Sequence, residues 1–515
     1  IPDEITVGEL ASRMKKTGAE VVKTLMKMGV MASLSEIIDY DTHESHGFIP
    51  EASVTYNVIG NINEWQLCIG ESTYGGRDEM VNKQGQIDYG SLMYLGLQRA
   101  KTAREAIKVM TQLVEKYGYI SGGESFTICD PNEAWIMEMQ GCGDDPKQKV
   151  VWCAVRIPDN ALSGHANQSR IGLVSSYDTD VICSKNMISF ARQKGWFTGK
   201  DNEFNWKMAY AKPDFSGRRI CDARVWSFFR RFDKGMDRYL PWALGKDPNA
   251  EDMPLWIIPD HKISPLEMMA CMRDHYEGTP MDMTTDLGAG GHNCPYRWRP
   301  MEFEVDGVKY VNERATATQQ TGFWFVAQAR PWLPDDMGIL WFGVDDAATS
   351  CLTPIYCSAT EVPECFREGN GTMLKYSPTS AFWLFNRVTN FAYLRYDLIA
   401  ADIRKVVDEW ENTRLEEVKQ IDAATEGDSP KKRQKRLTRY SVDMARQLFD
   451  RWTELDRYLL VKYIDGNLKS ETEPGKFLDN GNGRDIPDKI QFPGYNEKWK
   501  RAVVADHGEV LKVIQ

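Results

Sequence analysis

The stretch from residue 54 to residue 157 constrains the fold more than any other part of the chain. It strings together VTYNVIGNINEWQLCIGEST, SFTICDPNEAWIMEMQG and VVWCAVRIP. These are short runs rich in apolar, β-branched and aromatic residues, separated by turns that carry Asn and Asp. Strand, turn, strand at this spacing predicts hairpins, interrupted once by a helix at about 90 to 117. Similar material returns at 301–311, MEFEVDGVKYV, and at 321–344, TGFWFVAQARPW and GILWFGVDD. The Asp-Gly in the first of these is a tight-turn signal. A mostly antiparallel sheet system of the α+β class follows, rather than βαβ repeats.

From about residue 378 the pattern turns helical. SAFWLFNRVTNFAYLRYDLIAADIRKVVDEWENTRLEEVKQI, a break at GDSPKKRQKR, and SVDMARQLFDRWTELDRYLLVKYI predict a long helical hairpin packed on the sheet domain. The tail after 466, rich in Gly, Asn, Asp and Pro, predicts surface loop and a short last helix. At the other end, Thr6 to Glu9, Thr17 to Glu20 and Ser33 to Glu36 are three Ser/Thr-x-x-Glu capping boxes, which predict three short helices within residues 1–42. Val7, Leu10 and Met14, and then Val21, Val22, Leu25 and Met28, repeat at helical period, and Gly29 is placed to end the second helix. The organisation expected is a helical segment over 1–42, a sheet domain over 43–370, and a helical addition with its tail over 371–515.

Charge and apolar content narrow the partners. A net charge of -11 offers no overall cationic field for a phosphate backbone, so nucleic acid is not expected as a partner. No apolar run reaches the ~20 residues that cross a bilayer, and IPDEITVGEL has no signal-peptide layout, so a soluble chain is expected, cytoplasmic or processed and then periplasmic or secreted. The eleven cysteines include no Cys-x-x-Cys pair and are expected as reduced, buried thiols.

Four local clusters have residue types that could carry chemistry. His43 and His46, with Glu44 between them and Asp39 or Asp41 beside them, could ligate Zn, but the spacing is not His-Glu-x-x-His and a solvated polar connector is expected. The run KKRQKR at 431–436 is expected to be the solvated start of the last long helix. Gly288 to Gly291, followed by His292 and Cys294, lacks the strand-to-helix context and the Lys of a phosphate loop and is expected to be a mobile turn. Cys129 with His165 could form a thiol pair, yet Cys129 lies in an apolar strand where thiols are inert.

Three long motifs carry a resemblance. YNVIGNINEWQLCIGEST (56–73), YISGGESFTICDPNEAWIMEMQG (119–141) and VVWCAVRIPDNALSGHANQSRIG (150–172) resemble the dipeptidase A family of cysteine N-terminal nucleophile hydrolases. The likeness continues through DFSGRRICDARVWSFFRRF, PYRWRP and the 312–346 stretch to about residue 465. It implies an αββα sandwich of two antiparallel sheets, cleavage of dipeptides or short peptide amides, assembly as a homo-oligomer, and no metal or organic cofactor. In that chemistry a cysteine at the chain terminus attacks the carbonyl while its own α-amine takes the proton. By motif position the resemblance marks Asn167 and Arg224 as catalytic residues, and Glu71 and Thr73 as residues near the substrate or oxyanion.

The chain also departs from that family. A Cys-Thr start, a Gly-rich hairpin and an Arg-Asn-x-Asp stretch are expected, whereas residue 1 is Ile and no cysteine precedes Cys68. In their place EITVGELASRMKKTGAEVVKTLMKMGVMASLSEIIDYDT resembles the helical N-terminal module of bacterial translation initiation factor two. Two further readings therefore stand beside the dipeptidase. One is a catalytically inactive, secernin-like or scaffold protein of the same fold, and the other is a ribosome-associated factor, against which the acidic charge argues.

Overall fold

Residues 34–175 and 178–514 are described by the computed structural model of the chain. They group into two units: residues through Asp260 together with Ala329–Gly338, and His261–Gln328 together with Ile339 onward.

The first unit begins with an antiparallel hairpin of β1 (Leu34–Ile38) and β2 (Ser45–Pro50), paired from Leu34↔Pro50 to Glu36↔Phe48 and, after a shift of register, at Ile38↔Ser45. This corrects the helix expected to start at Ser33 to Glu36; the first two expected helices lie outside the described residues. The alternation of a strand buries Ile37 and Ile49 in the core. Glu36, instead of bonding a helix amide, accepts from Ser45 Oγ at 2.7 Å across the hairpin.

Next come β3 (Val58–Ile59), β4 (Ile62–Asn63), β5 (Cys68–Gly75), β6 (Gly123–Cys129), β7 (Ala134–Gly141) and β8 (Val150–Ile157). With β10 (Val181–Cys183) they form an antiparallel sheet in the order β10-β8-β7-β6-β5-β4-β3. A small ladder joins β9 (Leu162–Ser163) to β11 (Trp256–Ile257). The predicted hairpins are thus present, and the central strand β7 is buried along almost its whole length, as expected for a strand covered on both faces.

The helix expected at 90 to 117 is two helices, α1 (Tyr89–Arg99) and α2 (Ala103–Tyr117). Ala100 is extended, and Asn63 Nδ2 donates to the carbonyls of Leu97 and Ala100, ending α1. Thr102 then caps α2 by accepting from the Glu105 amide. Ala103, Ala106, Ile107, Met110 and Val114 share one buried stripe of α2 and join Ile69, Phe126, Ile128, Trp135 and Met137 of the sheet in one core. Because side chains alternate along a strand, Ser72, Ser125 and Thr127 point to the opposite face.

Shorter helices complete this unit: α3 (Met187–Gln193), α4 (Trp206–Tyr210), α5 (Ala223–Phe229) and α6 (Leu240–Leu244). A π-helical turn, Gly217–Asp222, leads directly into α5.

The second unit holds α7 (Pro265–Met272), the hairpin β12 (Glu302–Val305) and β13 (Val308–Val311), and the sheet β14 (Phe323–Gln328), β15 (Ile339–Val344) and β16 (Thr353–Tyr356) in that order. The Asp306-Gly307 turn has positive φ at both positions, 52° and 76°, as a tight hairpin turn requires. Its helices are α8 (Ala381–Ala392), α9 (Tyr396–Ala424), α10 (Pro430–Tyr463) and α11 (Glu497–Leu511).

Phe385 of α8 and Trp452 of α10 stack at 4.4 Å within this unit's core. KKRQKR occupies the first turns of α10, where Asp428 pairs with Lys432 and Arg436. Gly288 to Gly291 falls in a 3-10 turn over Leu287–His292, capped by Asp286.

Candidate active site

The four residues marked in the sequence come from three separate elements of the first unit; Arg224, Asn167 and Thr73 are joined in one hydrogen-bonded network, and Glu71 lies beside it. Glu71 and Thr73 lie two apart on β5, so their side chains share a face. Thr73 is the direct cross-strand partner of Glu124 on β6 and donates from Oγ1 to Glu124 Oε2 at 2.9 Å. The Glu71 carboxyl lies beside Glu124 in turn. Burial pushes Glu124 up to about 10, and the neighbouring Glu71 carboxyl adds to this. Burial also raises Glu71. Glu124 is buried and Glu71 half-buried beside it, and two such carboxyls do not both ionise, so the pair holds a proton at neutral pH.

The ladder is irregular just past this point. Thr73 faces Glu124 and Gly75 faces Gly123, leaving Tyr74 as a bulge. A side chain at Gly123 would meet the Tyr74 ring at 2.2 Å, so only glycine fits there.

Asn167 lies in the loop after β9 with φ 58°, a left-handed conformation that costs energy for a residue with a side chain. Neighbouring bonds hold it there. Its Nδ2 donates to the Thr73 carbonyl at 2.6 Å, its amide donates to Ser72 Oγ at 3.3 Å, and its Oδ1 accepts from Arg224 Nη2 at 2.9 Å. Such over-determined strain is typical of functional positions.

Arg224 extends from the first turn of α5. Its Nε donates to the Ile220 carbonyl at 2.9 Å inside the π-helical turn, and its Nη2 donates also to the Ala166 carbonyl at 3.1 Å. π-helical turns often occur at functional sites. Asp222 anchors this one through a fully buried pair with Arg170, at 3.4 Å, and a bond from Trp242 Nε1 at 2.9 Å.

The network has members beyond these four, among them His165, which the sequence set beside Cys129. His165 bridges Ser72 Oγ at 2.5 Å and Thr127 Oγ1 at 2.8 Å. Burial, with the positive charge of Arg170, lowers His165 to about 4, so the imidazole is neutral at pH 7. One ring nitrogen of the neutral imidazole donates and the other accepts, so Ser72 and Thr127 play opposite parts at its two ends. His165 is therefore committed to two hydroxyls rather than to Cys129, whose thiol burial pushes up to about 12.

Glu138 of β7, fully buried, accepts from Ser169 Oγ, from the Arg170 amide at 2.6 Å and from the Ile171 amide at 3.2 Å, clamping the loop that carries Asn167. A carboxylate inside an otherwise apolar strand, as in SGGESF and WIMEMQ, was the available signal for Glu124 and Glu138. A cavity of about 260 Å³ nearby is lined by Arg170, Ile171, Lys207, Asp252 and Trp256 but by none of the four marked residues.

This arrangement, a strained asparagine held by arginine at a bulged strand end, accompanies a clear kinship. Peptidase family C69 matches residues 30–409. The chain belongs to this family. Among C69 relatives, a probable dipeptidase of Salmonella dublin is 25% identical over 312 residues, 56% of this chain and 63% of that protein. A probable dipeptidase of Latilactobacillus sakei is 24% identical over 329 residues, 63% of this chain and 62% of that protein. The chain thus spans a little under two thirds of the length of these two C69 relatives.

The N-terminal region of translation initiation factor IF-2 matches residues 2–44. The IF-2 of Clostridium tetani is 35% identical over 133 residues, 25% of this chain and 19% of that protein. The two family matches overlap at 30–44, where the β1–β2 hairpin begins. No helix of the described residues is long and apolar enough to cross a membrane.

Proposed function

We propose that this C69 chain is a dipeptidase of the cysteine N-terminal nucleophile type, built on an αββα sandwich and acting on dipeptides or short peptide amides. One observation carries the reading: Arg224, Asn167 and Thr73, far apart in sequence, are linked by consecutive hydrogen bonds, and Thr73 in turn bonds Glu124, beside which Glu71 lies.

In this reading Arg224 fixes the Asn167 amide, and the second Nδ2 proton of Asn167 donates to the carbonyl oxygen as it becomes an oxyanion. The thiol of a terminal cysteine adds to the carbonyl carbon, and its proton passes to the α-amine beside it. Collapse breaks the C–N bond, and the leaving amine takes that proton. Water then hydrolyses the thioester and restores the thiol, so that a dipeptide yields two amino acids. The attacking cysteine is not among the described residues.

A second reading, a protein of the same fold that binds peptides without cleaving them, draws on the thiols that are described. Burial pushes Cys142 and Cys365 as well as Cys129 up to about 12, and Cys153 and Cys351 well above the ordinary value. None of these five is a thiolate at neutral pH.

The test is amino-acid release from dipeptides by the protein purified from its source, with and without iodoacetamide, alongside the intact mass of the chain. The expected result is release that alkylation abolishes and a mature terminal cysteine. Release that survives alkylation would sink the cysteine mechanism. Dipeptide binding without release, lost in Arg224→Met, would select the second reading.

A further inference from the structure

The histidine-rich stretch at 39–46 is only partly the solvated connector that its sequence suggested. His43 sits in the turn with φ 58°, and Asp41 accepts from the Tyr89 hydroxyl at 3.1 Å. Asp39 and His46 behave differently. Their side chains are 17% and 18% exposed, and both turn toward Asp88, which is 2% exposed and lies 42 residues further along the chain from His46. One ligand atom from each of the three lies within 4.8 Å of the others.

Asp39 and Asp88 each hold one carboxylate oxygen in capping bonds and keep the other outside them. Asp39 Oδ1 accepts from the amides of Asp41 and Thr42 and from Thr42 Oγ1, leaving Oδ2 facing His46 Nε2 at 3.9 Å. Asp88 Oδ2 caps α1, accepting from the amides of Gly90 and Ser91 and also from Tyr40, while Oδ1 is buried with no partner. His46 Nδ1 is likewise buried with no partner. Buried acceptors without donors are costly and rare. Two carboxylates and an imidazole converging with free lone pairs have the complement of a cation.

The geometry points to a divalent metal site formed by Asp39, His46 and Asp88, with Zn²⁺ as the ion that fits best. The donors are oxygen and nitrogen with no thiolate, a set that suits Zn²⁺ or Mn²⁺ rather than Cu⁺ or an iron–sulfur cluster. Zn²⁺ binds such donors at ~2.0–2.2 Å, so closure draws the three ligand atoms together by about 1 Å and leaves a fourth position for water. The ligands belong to the end of β1, to β2 and to the cap of α1, so the ion ties the hairpin to the helix and stabilises the unit that carries the candidate active site. Sequence spacing pairs His46 with His43; the fold pairs it with Asp88 instead.

Titration calorimetry and thermal melting of the full chain with Zn²⁺, and separately with Mn²⁺, test this. One equivalent of Zn²⁺ is expected to bind and raise the melting midpoint, with reversal by EDTA. His46→Gln and Asp88→Asn are each expected to weaken binding at least about tenfold, the loss that even outer ligand partners produce. Asp88→Asn retains a capping oxygen, so it reports on the ion without removing the helix start. His43→Gln is expected to bind as the unaltered chain does. Absence of binding, or binding unchanged in both His46→Gln and Asp88→Asn, overturns the site and leaves a simple His46–Asp39 ion pair.

Discussion

Single residues in the network make opposite demands on pH. His165 is held below its ordinary 6.5, at about 4. The unfolded chain therefore binds a proton that the folded chain refuses, and the stability His165 contributes is complete above 6.5 and lost as pH falls toward 4. Glu124 is the reverse. Held near 10 against an ordinary 4.5, it contributes most below 4.5 and loses that contribution as pH rises through about 10. Denaturation midpoints measured at pH 4, 5, 7 and 9 are expected to flatten on the acid side in His165→Gln and on the alkaline side in Glu124→Gln. Arg224 has its role in the proposed oxyanion network, so Arg224→Met is expected to lower dipeptide kcat/KM about 100-fold, with the circular dichroism spectrum unchanged. Of these residues, Arg224 was legible from its motif. The roles of His165, set beside Cys129 by the sequence, and of Glu124 were not, because their partners Ser72, Thr127 and Glu71 are brought to them only by strand register and loop closure.

Two elements show where local rules ended. The Ser33 to Glu36 capping box is a sound helix start, yet cross-strand pairing and the burial of Ile37 and Ile49 make that segment a strand. The stretch at 90–117 has helical periodicity throughout, yet Asn63 takes the carbonyls of Leu97 and Ala100 and divides it in two. In both cases a partner remote in sequence supplied the deciding hydrogen bond or apolar contact. The π-helical turn before α5 depends on the same kind of partner. Asp222→Ala would strand the buried Arg170 guanidinium and is expected to cost about 3–5 kcal/mol, read by urea unfolding. In the second unit, Trp452→Ala removes a fully buried ring stacked on Phe385 and is expected to cost about 3–5 kcal/mol by the same measurement.

At the scale of the whole molecule, the chain carries both a C69 match and an IF-2 N-terminal match on a net charge of -11. An acidic chain gains little from counterion release at a phosphate backbone, so it is expected not to pellet with ribosomes at physiological salt in a sucrose-cushion assay; co-sedimentation would show that the IF-2-like region acts independently of the overall charge. The sequence by itself determined the class of structure and the kinship. Hairpin spacing, the Asp-Gly turn, the helical period after 378 and the C69 motifs are local patterns, and local patterns survive in one dimension. Tertiary structure alone decided that Glu124 shares a proton with Glu71, that Glu138 clamps the Asn167 loop, and that Asp88 joins Asp39 and His46. Each depends on which atoms meet across tens of residues, and that is set by strand register and burial rather than by spacing along the chain.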